Sequence, residues 1–181
     1  MLLSALLPFF LVESTLATPL TPPIPADLGT FQTAFNDVIS AMKVFDTAVL
    51  ALSSGSALPE PKPIVNALSK GTTSLKASAV LDINDAVNLL DLSNNLVATT
   101  NTTINDLVAK KSVVDAAGIA ADVAKQLNGV KSASKDFIAA AVSKLPEGIQ
   151  PVAQDQASQI VTIIDGGIKA FGGTVSRMLL W

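Results

Sequence analysis

The sequence predicts an all-α fold, a five-helix bundle, and three observations carry that prediction. Apolar residues recur at helical spacing through most of the chain. Proline and glycine clusters interrupt these runs around Pro59-Glu60-Pro61-Lys62-Pro63, at Pro146 and at Gly172-Gly173. β-branched residues are plentiful, yet alternation never persists with hairpin turns around it. The chain has 181 residues, which suits one domain with a core of its own. The bundle has two ways to close. Its apolar stripes either interlock fully or leave an apolar cavity between helices.

From the N-terminus, residues 1–17 read as a secretory signal peptide. Leu2 to Val12 form its apolar region, and Thr15-Leu16-Ala17 places small residues before a cut. That run is well short of the roughly 20 residues a membrane span needs. Residues 18–29 are a Pro-rich, extended lead-in, with Asp27 a candidate N-cap for the first helix. A single helical domain is expected over 30–172, followed by a short apolar tail, 173–181.

The first helix, about 28–53, has the clearest pattern. Phe31, Phe35, Val38, Met42, Phe45, Val49 and Leu52 fall on one stripe, and Asn36, Asp37, Lys43 and Asp46 fall off it. A second helix opens at Pro63, where the missing N–H costs nothing, and Gly71-Thr72-Thr73 weakens its middle. Asp82 and Asp85 mark the start of the third, along which Ile83, Val87, Leu90, Val97, Ile104 and Leu107 lie. Its stretch from Ser93 to Thr103 is rich in Asn and Thr, which compete for backbone bonds, so a kink or break is expected there. Ser112 with Asp115 signals a fourth helix, running to Pro146. The last spans about 148–171.

The composition excludes much chemistry. Without Cys there is no disulfide, thiolate nucleophile or sulfur-ligated metal, and without His there is no imidazole base. The net charge is −3, and no basic patch suggests a nucleic-acid partner. Asp82, Asp85 and Asp165 are the carboxylates an enzyme would need, but the first two read as cap residues. Ser69-Lys70, Ser134-Lys135 and Ser143-Lys144 are adjacent pairs that do not share a helix face. No catalytic residue, cofactor or metal ligand is therefore assigned. Asn101-Thr102-Thr103 is a glycosylation sequon, with Asn101 the acceptor.

The second half carries a resemblance. It rests on Asp85-Ala86 with Leu89-Leu90, on Leu107-Val108-Ala109-Lys110-Lys111, and on Asp115-Ala116-Ala117-Gly118. Leu127, Lys131, Ser134, Phe137-Ile138 and Ser143-Lys144-Leu145-Pro146 continue it, and Leu68-Ser69-Lys70-Gly71-Thr72 fits upstream. In order and spacing these residues resemble the fungal family of hydrophobic-surface-binding protein A and the cell-wall galactomannoproteins. The resemblance implies a secreted, extracellular, non-enzymatic protein, with non-covalent association to the cell wall. Its implied partners are hydrophobic surfaces or long-chain fatty acids, and a secreted esterase recruited to an apolar substrate. A structural wall mannoprotein without a specific ligand is the alternative.

Should a cavity exist, Phe31, Phe35, Val38, Met42 and Phe45 are its expected bulky wall, and Ala117, Ala120, Ala121 and Ala124 its roomy one. Lys43, Lys76 and Lys110 are available to meet a carboxylate head. No transmembrane span is expected, since no later window holds 18 continuous apolar residues.

Overall fold

The computed structural model describes residues 28–175, and the expected signal peptide, most of the lead-in and the end of the tail lie outside that range. The described residues form seven helices and no strand. They are α1 (Leu28–Leu50), α2 (Lys62–Ala77), α3 (Ile83–Asn88), α4 (Leu90–Ala109), α5 (Lys111–Ala116), α6 (Ala120–Val142) and α7 (Gln150–Ala170). Five are long, as the sequence predicts. The short pair, α3 and α5, comes from two breaks.

The first break corrects the expected position of the kink. The Asn- and Thr-rich middle of α4 stays helical because its side chains bond elsewhere. Thr100 Oγ1 donates to the Leu96 carbonyl at 2.8 Å, while Ser93 and Asn94 both bond Gln156 of α7. The interruption falls earlier, at Leu89, which joins α3 to α4 with φ −85° and ψ −12°.

The second break divides the expected fourth helix. Gly118 adopts φ +71°, a left-handed conformation that costs glycine no Cβ clash. The Ile119 N–H then reaches back to the Val114 carbonyl, and the Gly118 N–H to that of Asp115. Such paired bonds close a helix end by satisfying its last carbonyls. Ser112 consequently lies inside α5, and no side chain caps that helix. Asp82, by contrast, does cap α3, accepting from the Asp85 N–H at 2.9 Å.

The long helices close into a ring, each packed against two neighbours in the order α1, α2, α6, α7, α4 and back to α1. Close approach of α2 to α6 depends on Gly71. A Cβ there would lie 2.6 Å from Phe137 Cε2 and 3.3 Å from the Ala34 Cβ. The glycine expected only to weaken α2 is what seats it.

A ring of five leaves an axis that side chains rather than backbones must fill. Every residue of the α1 stripe from Phe31 to Leu52 is buried in that core. Phe35 of α1 meets Phe137 of α6 across it, with ring centroids 5.1 Å apart.

Polar ties hold the seams. Lys131 of α6 is buried and pairs with Asp165 of α7 at 2.5 Å. Desolvation offsets much of the attraction in such a pair, so its net contribution to stability is small. Lys110 donates from Nζ to the Leu50 and Leu52 carbonyls at 2.7 and 3.1 Å, closing the end of α1. Among the described residues, no helix is long and apolar enough to cross a membrane.

Candidate functional site

Two apolar voids lie within the ring. The first, of about 60 Å3, is bounded by Phe31 and Phe35 of α1, Ala86 of α3, Leu96 of α4, Phe137 and Ala141 of α6, and Ala157 and Ile160 of α7. Its half-buried rim includes Leu90, Val142, Leu145, Ile149 and Ala153. Ser93 and Gln156 are its polar lining residues, bonded to one another at 2.5 Å.

The second void, of about 30 Å3, takes walls from all five long helices. Met42 and Phe45 face Ile64, Ile104, Leu127, Val130 and Ile164 there. Two threonines and Gln126 interrupt the apolar lining. Thr100 donates to the Leu96 carbonyl and lies 3.6 Å from Met42 Sδ. Thr103 is only 4% exposed, and its Oγ1 has no hydrogen-bond partner.

Volume decides what these spaces hold as they stand. A water takes about 30 Å3 of liquid, whereas drug-sized ligand sites occupy roughly 300–1,000 Å3. The first void therefore has room for about two waters and the second for about one. An acyl chain enters only if the helices part or lining side chains turn aside.

Of the residues expected from sequence, Phe31 and Phe35 border the first void, and Met42 and Phe45 the second. Val38 is fully buried on the same α1 stripe but lines neither. The alanines are placed differently. Ala124 packs into the core, Ala120 is half-buried against it, and Ala121 is exposed. Ala117 is exposed beyond α5, beside a shallow surface groove. The small residues that make room are Ala86, Ala141, Ala153 and Ala157. Ala153 and Ala157 stand one helical turn apart, a spacing visible in the sequence.

Lys43 and Lys76 are exposed, Lys110 is occupied at the end of α1, and none lines either void. Asn101 is exposed on α4, as a sugar acceptor must be, while Thr103 of the same sequon is buried.

One carboxylate pair also spans the α1–α4 seam. Burial pushes the Asp46 carboxyl above its usual range, and the charge of Asp106, with a hydrogen bond between the two, adds to that. The folded state therefore holds the Asp46 proton more tightly than the unfolded chain does. Stability from this group is fully present below the ordinary carboxylate pKa and is lost as pH rises through the raised one. Asp46→Asn mimics the protonated form. Its stability advantage over wild type, followed by urea unfolding from pH 3 to 8, is expected to grow with pH and then level off. An advantage that does not vary with pH contradicts the assignment.

Comparison with known proteins now bears on these voids. The family model described as hydrophobic surface binding protein A matches residues 28–143. Cell wall mannoprotein 1 of Aspergillus flavus is 28% identical over 171 residues, covering 93% of this chain. The chain spans 62% of that relative's length. Among solved structures, ligand binding domain 2 of the Penicillium marneffei MP1 protein, complexed with multiple arachidonic acids, superposes with a TM-score of 0.79. Identity is 23%, with 83% of this chain and 99% of that one covered. AFMP4P in complex with palmitic acid gives a TM-score of 0.73 at 18% identity, over 80% and 99% of the two chains. Both likenesses show the helical fold.

Proposed function

The chain belongs to the hydrophobic surface binding protein A family, and from that premise we propose that it is a non-enzymatic protein that binds hydrophobic surfaces and long-chain fatty acids. The observation that carries the ligand reading is the pair of apolar voids lined by one ring of helices. The palmitic and arachidonic acids held by proteins of the same fold support the choice of ligand class.

Energetics allow it. Burying fifteen methylenes yields about 12 kcal/mol gross at roughly 0.8 kcal/mol each. Association and ordering consume about 4–15 kcal/mol. A ligand is therefore held only if opening the ring is inexpensive. In this reading the acyl chain runs along the axis past Phe35 and Phe137. The Ser93 hydroxyl, turning away from Gln156 Oε1, and the Gln156 amide, which also donates to Asn94, would donate to its carboxylate. A carboxylate is then held by hydrogen bonds from neutral groups, since among the described residues no lysine lines either void.

We assign the protein to the extracellular space, in non-covalent association with the cell wall, on the leader-like residues 1–17 and the wall mannoprotein relative. Recruitment of a secreted esterase to apolar material belongs to the same reading. A structural wall mannoprotein without a ligand is the second reading, and the small size of both voids favours it.

Native mass spectrometry of the protein extracted from its own source separates the two. A retained acyl species, removed by solvent and restored by palmitate, is the expected result. Protein that emerges lipid-free, takes up no palmitate and coats no apolar surface would sink the proposal.

A further inference from the structure

The short helix α3 lies over the first void with apolar residues on both of its faces. Ala86, on α3, and Leu89, which joins it to α4, are buried and line the void. Ile83 and Val87, one helical turn apart and so on a shared face, are 59% and 51% exposed. Val80, in the link before α3, is 60% exposed. An ordinary surface helix presents polar residues on its outer side, so this arrangement needs an explanation that packing does not supply. The other exposed apolar residues of comparable exposure, Val44 and Leu50 on α1 and Val152 on α7, do not pair on one helix face and need none.

Helix α3 is also the least tethered part of the wall. Among the helices it packs appreciably only on α4, through the Leu89 junction. Its other end hangs from two ties to the end of α6. The Leu81 N–H donates to the Lys144 carbonyl at 2.8 Å, and Lys144 Nζ donates to the Ser78 carbonyl at 2.7 Å. Buried Leu81 lies between those ties and the helix. A six-residue segment hung between two fixed points can swing without disturbing the ring.

We infer that α3 is a lid whose exposed apolar residues, Ile83 and Val87, dock together with Val80 of the preceding link on an uncharged lipid surface and, in docking, uncover the first void. Charge selects that partner. Asp82 and Asp85 flank the apolar residues, α3 itself carries no cation, and Lys144 is engaged with Ser78. A face of this kind is repelled by anionic headgroups and is attracted only through its apolar area. Continuity with the void completes the case. Moving Ile83 and Val87 into lipid about the Leu89 junction draws Ala86 off the cavity, so an acyl chain passes from surface to interior without crossing water. This rests on the fatty-acid reading above and adds the residues that meet the surface and the route inward.

The test compares wild type with the double variant Ile83→Gln, Val87→Gln, and with Val44→Gln as a control on α1. Glutamine keeps helix propensity, and circular dichroism with thermal melting verifies the fold. Partition is measured to phosphatidylcholine vesicles carrying palmitate, and separately to vesicles containing phosphatidylglycerol. The double variant is expected to lose about tenfold in partition to phosphatidylcholine, with palmitate transfer slowed to match. Its equilibrium affinity for palmitate delivered in solution stays within about twofold of wild type, because the void is unchanged. Val80→Gln, outside any helix, gives a smaller loss in the same direction and keeps the test valid should the double variant melt early.

Unchanged partition in a folded double variant overturns the lid. So does binding that strengthens with phosphatidylglycerol or collapses in high salt. A wild-type protein that adsorbs through these residues yet takes up no palmitate overturns the carrier reading instead, so the two failures are distinguishable.

Discussion

Replacing Phe137 with Ala is expected to lower stability by about 3–5 kcal/mol, the usual loss for deleting a buried aromatic ring. For a chain of this size that corresponds to a fall of roughly 6–20 °C in melting temperature. Phe137 is 1% exposed, packs on Phe35 and fills the notch left by Gly71. It is also a wall of the first void, so the deletion opens space where an acyl chain is proposed to lie. Palmitate should therefore raise the melting temperature of the variant more than that of wild type, since a ligand bound only by the folded state stabilises by mass action. Calorimetry with and without palmitate reads both effects. An unchanged melting temperature in the absence of lipid contradicts the packing account, and equal ligand shifts contradict the placement of the chain.

The opposite change, Ala157→Leu, is expected to reduce palmitate affinity by on the order of 100-fold, since displacing about four methylenes at roughly 0.8 kcal/mol each has that consequence. Ala157 is buried on α7 and faces the first void, whose volume of about 60 Å3 accommodates part of the added side chain. Overpacking then costs no more than about 1–3 kcal/mol. Titration with a fluorescent fatty acid measures the loss. Adsorption to apolar particles should persist, because the outer face of α3 is untouched. Full retention of palmitate affinity would move the binding site away from the first void.

The two voids explain why a sequence this apolar yields so little empty space. Five helices in a ring need bulky residues along the axis, and Phe31, Phe35, Phe45 and Phe137 supply them. Alanines then set where the filling is incomplete. Capacity for a long ligand thus lies in displacement of side chains and in the proposed movement of α3 against lipid.

Much of the fold was legible in the sequence. The 4-3 spacing of the α1 stripe predicts a helix and its buried face together, because the period of the chain and the direction of its side chains are local properties. The prolines before α2 and the glycines after α7 mark ends for equally local reasons. The family resemblance, drawn from short strings in order, is borne out by the family match over residues 28–143. The break at Gly118 carried a signal that the continuous apolar pattern outweighed. The position of the break near Leu89 had no comparable mark, since the competing Asn and Thr side chains find partners on α7 only after folding.

Local pattern in the chain is enough to specify an all-helical protein, the buried face of its first helix, the absence of thiol and imidazole chemistry, and the family. Contacts between distant segments set the order of helices around the ring and hence which alanines face a void. They also bury Lys131 on Asp165, commit Lys110 to closing α1 and not to anchoring a ligand, and lay α3 over the first cavity. The division has one physical cause. Helical periodicity arises from residues three and four apart, whereas a cavity, a seam or a lid exists only where segments distant in the chain meet.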